Sequence, residues 1–187
     1  MSFVVFGLNH HSAPLEVLEQ VMVDADDMPK ALHDLARRPY VTEAVVLSTC
    51  NRTEIYVEAE RFHGAFQDVR DFLALQSSLA PERIGDVLYT HFDDEAVRHL
   101  FGVSAGVDSA VVGEHEILGQ VKRAWQAAQD NDTVGPTLNS IFRAALEAGK
   151  RVRNETAISH HIASVSQAAV VIAVSYTHLT LPTICSV

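Results

Sequence analysis

Basic residues are scarce in this 187-residue sequence: 14 Lys and Arg stand against 24 Asp and Glu, a formal charge of −10. A protein that grips nucleic acid chiefly through its phosphates carries the opposite balance, at least locally. Any RNA contact must therefore come from a local patch or from residues beyond this chain. The densest patch is Lys150-Arg151-Val152-Arg153, which fits equally well the solvated last turn of a helix, where cations suit the dipole. Long apolar runs are missing as well. Stretches such as Phe3-Val4-Val5-Phe6 fall far short of the ~20 residues a spanning helix needs, and no basic-then-apolar leader opens the chain. The expectation is a cytoplasmic protein with no membrane partner. Cysteine is nearly absent, and the widely spaced Cys50 and Cys185 make no disulfide framework. Neither G-x-G-x-x-G nor G-x-x-x-x-G-K-[ST] occurs, so no loop for a dinucleotide or a nucleoside triphosphate is recognisable. His115-Glu116 is followed by Gly119 where a zinc protease needs its second histidine. The His10-His11 and His160-His161 pairs lack companion ligands, so no metal site is expected.

What remains is ordinary globular material, 48% hydrophobic and 20% charged, enough for one domain or two small subdomains. Ser2 to Leu8 reads as a buried strand, Asn9 to Pro14 as a loop, Asp26 to Ala36 as a helix and Ala44 to Leu47 as a second strand. Thr53 to Glu58 alternates apolar Ile55 and Val57 with Glu54 and Glu58, the pattern of a half-buried strand. Phe66 to Leu75 looks helical and Val87 to Phe92 extended. Asp93 then offers an N-cap, with Asp94 and Glu95 in the first turn. Apolar residues at 117, 118, 121, 124, 125 and 128 make a helical stripe. Pro136 suits a first helical position, and Leu138, Ile141, Phe142, Ala145 and Val152 form the next stripe. The expected class is α+β: a small mixed sheet of about four strands with packed helices over residues 1–92, then a helical part over 93–163. Residues 164–173 read as the start of a connecting helix. From Val174 onward the chain looks like one reading frame of a sequencing adapter, so 174–187, Cys185 included, are expected to be a non-native tail.

Chemistry concentrates at Ser48-Thr49-Cys50-Asn51-Arg52-Thr53-Glu54, between two expected strands. A free cysteine is commonly a small buried hydrophobe, but polar neighbours on both sides make packing awkward. A nearby guanidinium favours the thiolate, the form that attacks carbonyls. Arg52 has two readings: its planar fork matches a ligand carboxylate, or it forms a surface ion pair with Glu54 or Glu58. His99 falls outside the face shared by Val97, Leu100, Phe101 and Ser104; an isolated helix histidine is either structural or catalytic. The segment Gly106 to Ile117 leads into a helix, a junction that either offers N–H groups to an anion or is an ordinary capped start.

Five ordered segments resemble one family. They are Gly7 to Pro14, Leu47 to Tyr56, Val97 to Phe101, Gly113-Glu114-His115-Glu116-Ile117-Leu118-Gly119-Gln120-Val121-Lys122 and Arg151 to Thr156, and they are similar to glutamyl-tRNA reductase segments in that family's order. The resemblance covers about residues 3 to 173. It implies the substrate-activating part of such an enzyme, cut before the NADPH-binding domain. By that resemblance Cys50 is the nucleophile: its thiolate attacks the ester joining glutamate to tRNA. NADPH hydride then reduces the thioester to glutamate-1-semialdehyde, the first step toward tetrapyrroles. Thr49, Cys50, Asn51, Arg52, Ser109, Glu114, His115, Glu116 and Gln120 match positions around the glutamyl group, and His99 a position that supports activity. The family often has Pro-Gln where this chain has His115-Glu116, so those two positions are expected to contribute backbone more than side chain. The implied partners are glutamyl-tRNA, a second copy in a full-length homodimer, and the downstream glutamate-1-semialdehyde aminomutase. NADPH is the implied cofactor of the full-length family, and this chain alone is expected to bind none. A cysteine-dependent ester hydrolase and a non-enzymatic tRNA-binding module are the rivals.

Overall fold

In the computed structural model, residues 1–114 and 116–159 are described. Among them the order is β1 (Ser2–Asn9), α1 (Leu15–Val21), α2 (Met28–Ala36), β2 (Val41–Thr49), β3 (Arg52–Ala59), α3 (Phe62–Ser77), α4 (Pro81–Val87), β4 (Tyr89–Phe92), α5 (Asp94–Ala105), α6 (Glu116–Asp130) and α7 (Pro136–Glu155), closed by a short 3-10 turn. The strands form one sheet in the order β2-β3-β1-β4. All three pairings are antiparallel, so the expected mixed sheet is antiparallel throughout. A β-α-β-β-α-β run arranged in this way is the ferredoxin-like split pattern; the helices α5, α6 and α7 are added after it.

Strand alternation assigns the faces. Phe6 points toward α3, with its ring 6.0 Å from that of Phe66. Tyr56, paired with Val5 across β1 and β3, lies on the opposite face and meets Phe142 of α7 edge-on at 5.2 Å. The free side of β2 is covered by the α6–α7 loop: the Ala44 N–H donates to the Thr133 carbonyl at 2.7 Å, and the Thr133 hydroxyl donates to the Ala44 carbonyl at 2.9 Å. A covered edge does not recruit foreign strands. Helix α7 is anchored to the sheet through its N-terminus, where Glu43 of β2 accepts the Thr137 and Leu138 N–H groups at 3.2 and 2.8 Å.

Several sequence expectations change. The second strand is more than twice the expected length, because it begins at Val41 and because Ser48 and Thr49 continue it to the tip of a hairpin. The third strand is not half-buried: Glu54 is fully enclosed, since helices cover the second face. Helix α1 carries only Val17, Leu18 and Val21 inward, too short a stripe to read from periodicity. Val87 closes α4, a helix opened by Pro81, before β4 begins. Asp93 takes the N-cap position with φ of 47° and no side-chain cap, its N–H donating to the Phe3 carbonyl at 2.7 Å. The stripe in α6 buries Ile117, Val121, Ala124 and Ala128, and α7 opens on Pro136. The expected helix from Ser164 and the tail 174–187 lie outside the described residues.

Candidate active site

Thr49 and Arg52 are the last paired residues of the β2–β3 hairpin, which leaves Cys50 and Asn51 as its two-residue loop. Two-residue hairpins usually use primed turns with positive φ. Neither Cys50 nor Asn51 has positive φ, and a side chain holds the turn in place. Thr49 Oγ1 accepts the N–H groups of Asn51 and Arg52, each at 3.2 Å. Cys50 is thus presented, exposed and unbridged, at the apex. The β1–α1 loop leans on this tip. The His10 N–H donates to the Asn51 carbonyl at 3.2 Å, and Asn9 folds the loop by accepting the His11 and Ser12 N–H groups at 2.9 and 3.2 Å. His10 Nδ1 is buried and has no hydrogen-bond partner. Burial, then His11 and Arg52, pull this imidazole's pKa below its ordinary value.

Beneath the tip lies a buried ionic cluster. Arg52 is 2% exposed and Glu54 wholly enclosed. Arg52 Nη1 donates to Glu54 Oε1 at 2.8 Å and to Asp108 Oδ2 at 3.4 Å; Nη2 donates to the Asp108 carbonyl. Glu54 Oε1 also accepts the Tyr89 hydroxyl at 2.5 Å and faces His99 Nε2 at 2.9 Å, while the Tyr56 hydroxyl donates to Oε2. Four donors thus serve this carboxylate, three on Oε1 and one on Oε2, the kind of compensation a buried charge requires. Burial alone would push the Glu54 carboxyl up. The hydrogen bond from His99 and the Arg52 guanidinium outweigh it and hold the carboxyl down at about 2. Burial and then the Glu54 carboxylate push both phenols, Tyr56 and Tyr89, well above their ordinary range.

His99 is therefore not an isolated helix histidine. It lies on the same inward side of α5 as Ala96, Leu100 and Val103, and its ring stacks on that of His91 at 4.7 Å. With Nε2 on Glu54 and Nδ1 3.8 Å from Asp108 Oδ2, it braces the cluster under the hairpin. Arg52 pairs with Glu54, as one reading had it, but in the interior rather than on the surface.

The loop after α5 supplies the other wall. Gly106 and Gly113 hold φ of 78° and 83°, a region open to glycine, and the Gly113 N–H donates to the Gly106 carbonyl at 2.8 Å. This pinch carries Asp108 onto Arg52. Ser109, in the same loop, is 8% exposed, and its hydroxyl has no partner. Glu114 is buried at 9%, and its carbonyl accepts Arg153 Nη2 at 2.8 Å. Of the expected basic patch, Lys150 and Arg151 are surface cations, Arg151 paired with Glu155 one turn on, while Arg153 turns inward. Gln120 lines a depression together with Ser48, Leu47 and Arg123. Glu116 is exposed in the first turn of α6, and His115 lies outside the described residues. The structure thus joins Arg52, His99 and Asp108 directly and sets Thr49, Cys50 and Asn51 above them. Sequence reasoning offers no signal for Tyr89 or Asp108 as partners in the site, and it offers Glu54 only as a surface partner of Arg52. No group of three metal-ligating side chains occurs among the described residues, and none of the described helices is long and apolar enough to cross a membrane.

Comparison with known proteins follows the same residues. The chain matches the family described as Glutamyl-tRNA(Glu) reductase, N-terminal domain, over residues 6–156. It is 48% identical over 175 residues to the glutamyl-tRNA reductase of Frankia alni, an alignment covering 94% of this chain and 37% of that protein. Against glutamyl-tRNA reductase 1 of a Nocardioides species the figures are 46% over 169 residues, 90% of this chain and 39% of the relative. The solved glutamyl-tRNA reductase of Methanopyrus kandleri superposes with a TM-score of 0.72 at 36% identity, over 91% of this chain and 39% of that one. The chain therefore spans less than two-fifths of the length of these relatives.

Proposed function

The chain belongs to the family of the glutamyl-tRNA reductase N-terminal domain, and on that premise we propose that it performs the acyl-transfer half of that enzyme's reaction. The observation that carries the reading is the placement of Cys50. It is an exposed thiol on a two-residue turn, fixed by Thr49 and braced from below by Arg52, Glu54 and His99. The Cys50 sulfur, as thiolate, adds to the ester carbonyl of glutamyl-tRNA. The carbon–oxygen bond to the tRNA breaks, the ribose oxygen takes up a proton, and a glutamyl thioester remains on the protein. Splitting the reaction in this way leaves an acyl group that a hydride reduces to the aldehyde.

In this reading Arg52 receives the side-chain carboxylate of the glutamyl group, Ser109 gives it the hydrogen bond its own hydroxyl lacks, and His99 is a positioning residue. NADPH supplies the hydride in the full-length family. The described residues do not fit that cofactor: the turns from strand to helix at 10–14, 60–61 and Asp93 contain no glycine to cradle a pyrophosphate. No step of the reduction is assigned to them. Glutamyl-tRNA is the substrate, and a homodimer and the aminomutase that consumes the semialdehyde are the partners this reading carries for the full-length protein.

Mass spectrometry of the chain mixed with glutamyl-tRNA tests it. A glutamyl adduct on Cys50, absent from Cys50→Ser, is the expected result. Release of free glutamate with no adduct indicates an ester hydrolase, and tRNA binding without either indicates a binding module.

A further inference from the structure

Asp108 and Glu54 hold Arg52 from two sides, and they differ. Glu54 is fully enclosed, 2.8 Å from Nη1, and saturated by three further donors. The Asp108 side chain is 40% exposed and sits 3.4 Å from the same nitrogen, with His99 Nδ1 3.8 Å from its Oδ2. One carboxylate is built in and the other is loosely seated. The Asp108 carbonyl independently accepts Arg52 Nη2, and the pinch from Gly106 to Gly113 closes the loop at its base. The carboxylate can therefore leave Arg52 by rotation of one side chain while the backbone stays anchored. The buried Ser109 hydroxyl beside it lacks a partner, and a native interior rarely leaves such a group unmet unless a ligand completes it.

We propose that Asp108 is a built-in stand-in for the substrate carboxylate. It occupies Arg52 while the site is empty and yields that position when a glutamyl carboxylate arrives. This inference rests on the reading that Arg52 receives that group. The physical need is plain: a buried guanidinium without its second anion is costly to hold in place, and a carboxylate on a short side chain at the rim supplies one without closing the site. Exchange of one carboxylate for another conserves the charge of the cluster. An amide in the same position does not. Displacement reduces apparent affinity by the fraction of protein in which Arg52 is occupied, so Asp108 trades binding strength for an empty site that stays folded around its arginine.

Linkage gives a test that a merely structural role fails. Melting temperatures are measured for the chain in a Cys50→Ser background, with and without Asp108→Asn. The ligands are L-glutamate 1-methyl ester, which keeps the side-chain carboxylate, and L-glutamine methyl ester, which lacks it. Without ligand, Asp108→Asn melts lower by about 3 °C. Saturating glutamate ester erases the difference, and the variant binds it about tenfold more tightly. The glutamine ester leaves the difference in place. Three results overturn the proposal: a deficit that persists with the glutamate ester, weaker binding by the variant, or no binding of the ester by either protein. None of these measurements requires tRNA or a thioester. A chain that forms the Cys50 adduct yet shows a persistent deficit keeps its function and loses this inference; the reverse pattern does the opposite.

Discussion

The hydroxyl of Tyr89 reaches across Gly7 to the Glu54 carboxylate, 2.5 Å away. The three residues form one row across the sheet, Glu54 paired with Gly7 and Gly7 with Tyr89. A Cβ on Gly7 would lie 2.5–2.7 Å from the Tyr89 ring, so the strand has room for the phenol only because that residue is glycine. Gly7→Ala should cost about 1–3 kcal/mol through overpacking. Tyr89→Phe, which removes only the hydroxyl from a buried carboxylate, should cost about 1–3 kcal/mol. The two act on one contact, so in a urea-denaturation double-mutant cycle the combined cost should fall short of their sum. Strict additivity would mean that Tyr89 does not depend on Gly7 for its place.

Acid should loosen the cluster in a defined window. The Glu54 carboxyl titrates at about 2 in the folded protein, against about 4.5 when the chain is unfolded. A depressed carboxyl stabilises the fold above its unfolded value, and that contribution is lost as pH falls through the folded one. Stability measured by urea titration should thus decline from pH 4.5 toward 2. Glu54→Gln should be less stable at pH 7 by about 3 kcal/mol, the scale for breaking a buried pair, and the gap to the parent should narrow over the same window. A gap that stays constant down to pH 2 would deny the carboxylate its role.

The alternation of β3 was legible: Glu54, Tyr56 and Glu58 share one face, and Ile55 and Val57 the other. What periodicity could not supply is that the polar face meets α5 and α7 instead of water. That fact depends on residues distant in the chain, Tyr89 lying 35 residues from Glu54 and Asp108 lying 56 from Arg52. The hairpin tip announced itself because polar residues between apolar strands have few other uses. The place of His99 in the cluster cannot be read from its own helix pattern, because its partner is a carboxylate on another element. The long helices α6 and α7 were read from their stripes, whereas α1 and α4 have seven residues each, too few turns for a period to declare itself.

Glu43 should prove to be a helix cap supplied by a strand. Its two oxygens accept the Thr137 and Leu138 N–H groups, where a negative charge also meets the positive end of the α7 dipole. A Cβ on Gly135 would lie 2.5 Å from Glu43 Oε1, so glycine there lets the carboxylate in. Glu43→Ala should cost about 2 kcal/mol, the upper range for a lost cap, and Gly135→Ala should act on the same interaction. Hydrogen exchange should show faster opening of the first turn of α7 in both variants. Unchanged protection at Thr137 and Leu138 would rule the cap out.

Arg52→Lys separates charge from geometry at the center of the site. Lysine keeps the positive charge, but its single ammonium cannot serve Glu54, the Asp108 side chain and the Asp108 carbonyl from the planar fork that arginine uses here. The variant should fold less stably, by about 2–3 kcal/mol, since part of a buried network goes unmet. It should also form the Cys50 thioester more slowly, because Arg52 is the first residue after the turn that presents the thiol and its N–H is bound to Thr49. The decisive quantity is discrimination, measured as the ratio of thioester formation from glutamyl-tRNA to that from glutaminyl-tRNA. A fork that recognises the substrate carboxylate makes this ratio fall by about tenfold or more in the variant, one charge-assisted bond being worth at least that much. A general loss of folding or of turn geometry slows both substrates alike and leaves the ratio where it was. Slower reaction with unchanged discrimination would therefore make Arg52 a strut of the hairpin and move carboxylate recognition to another group.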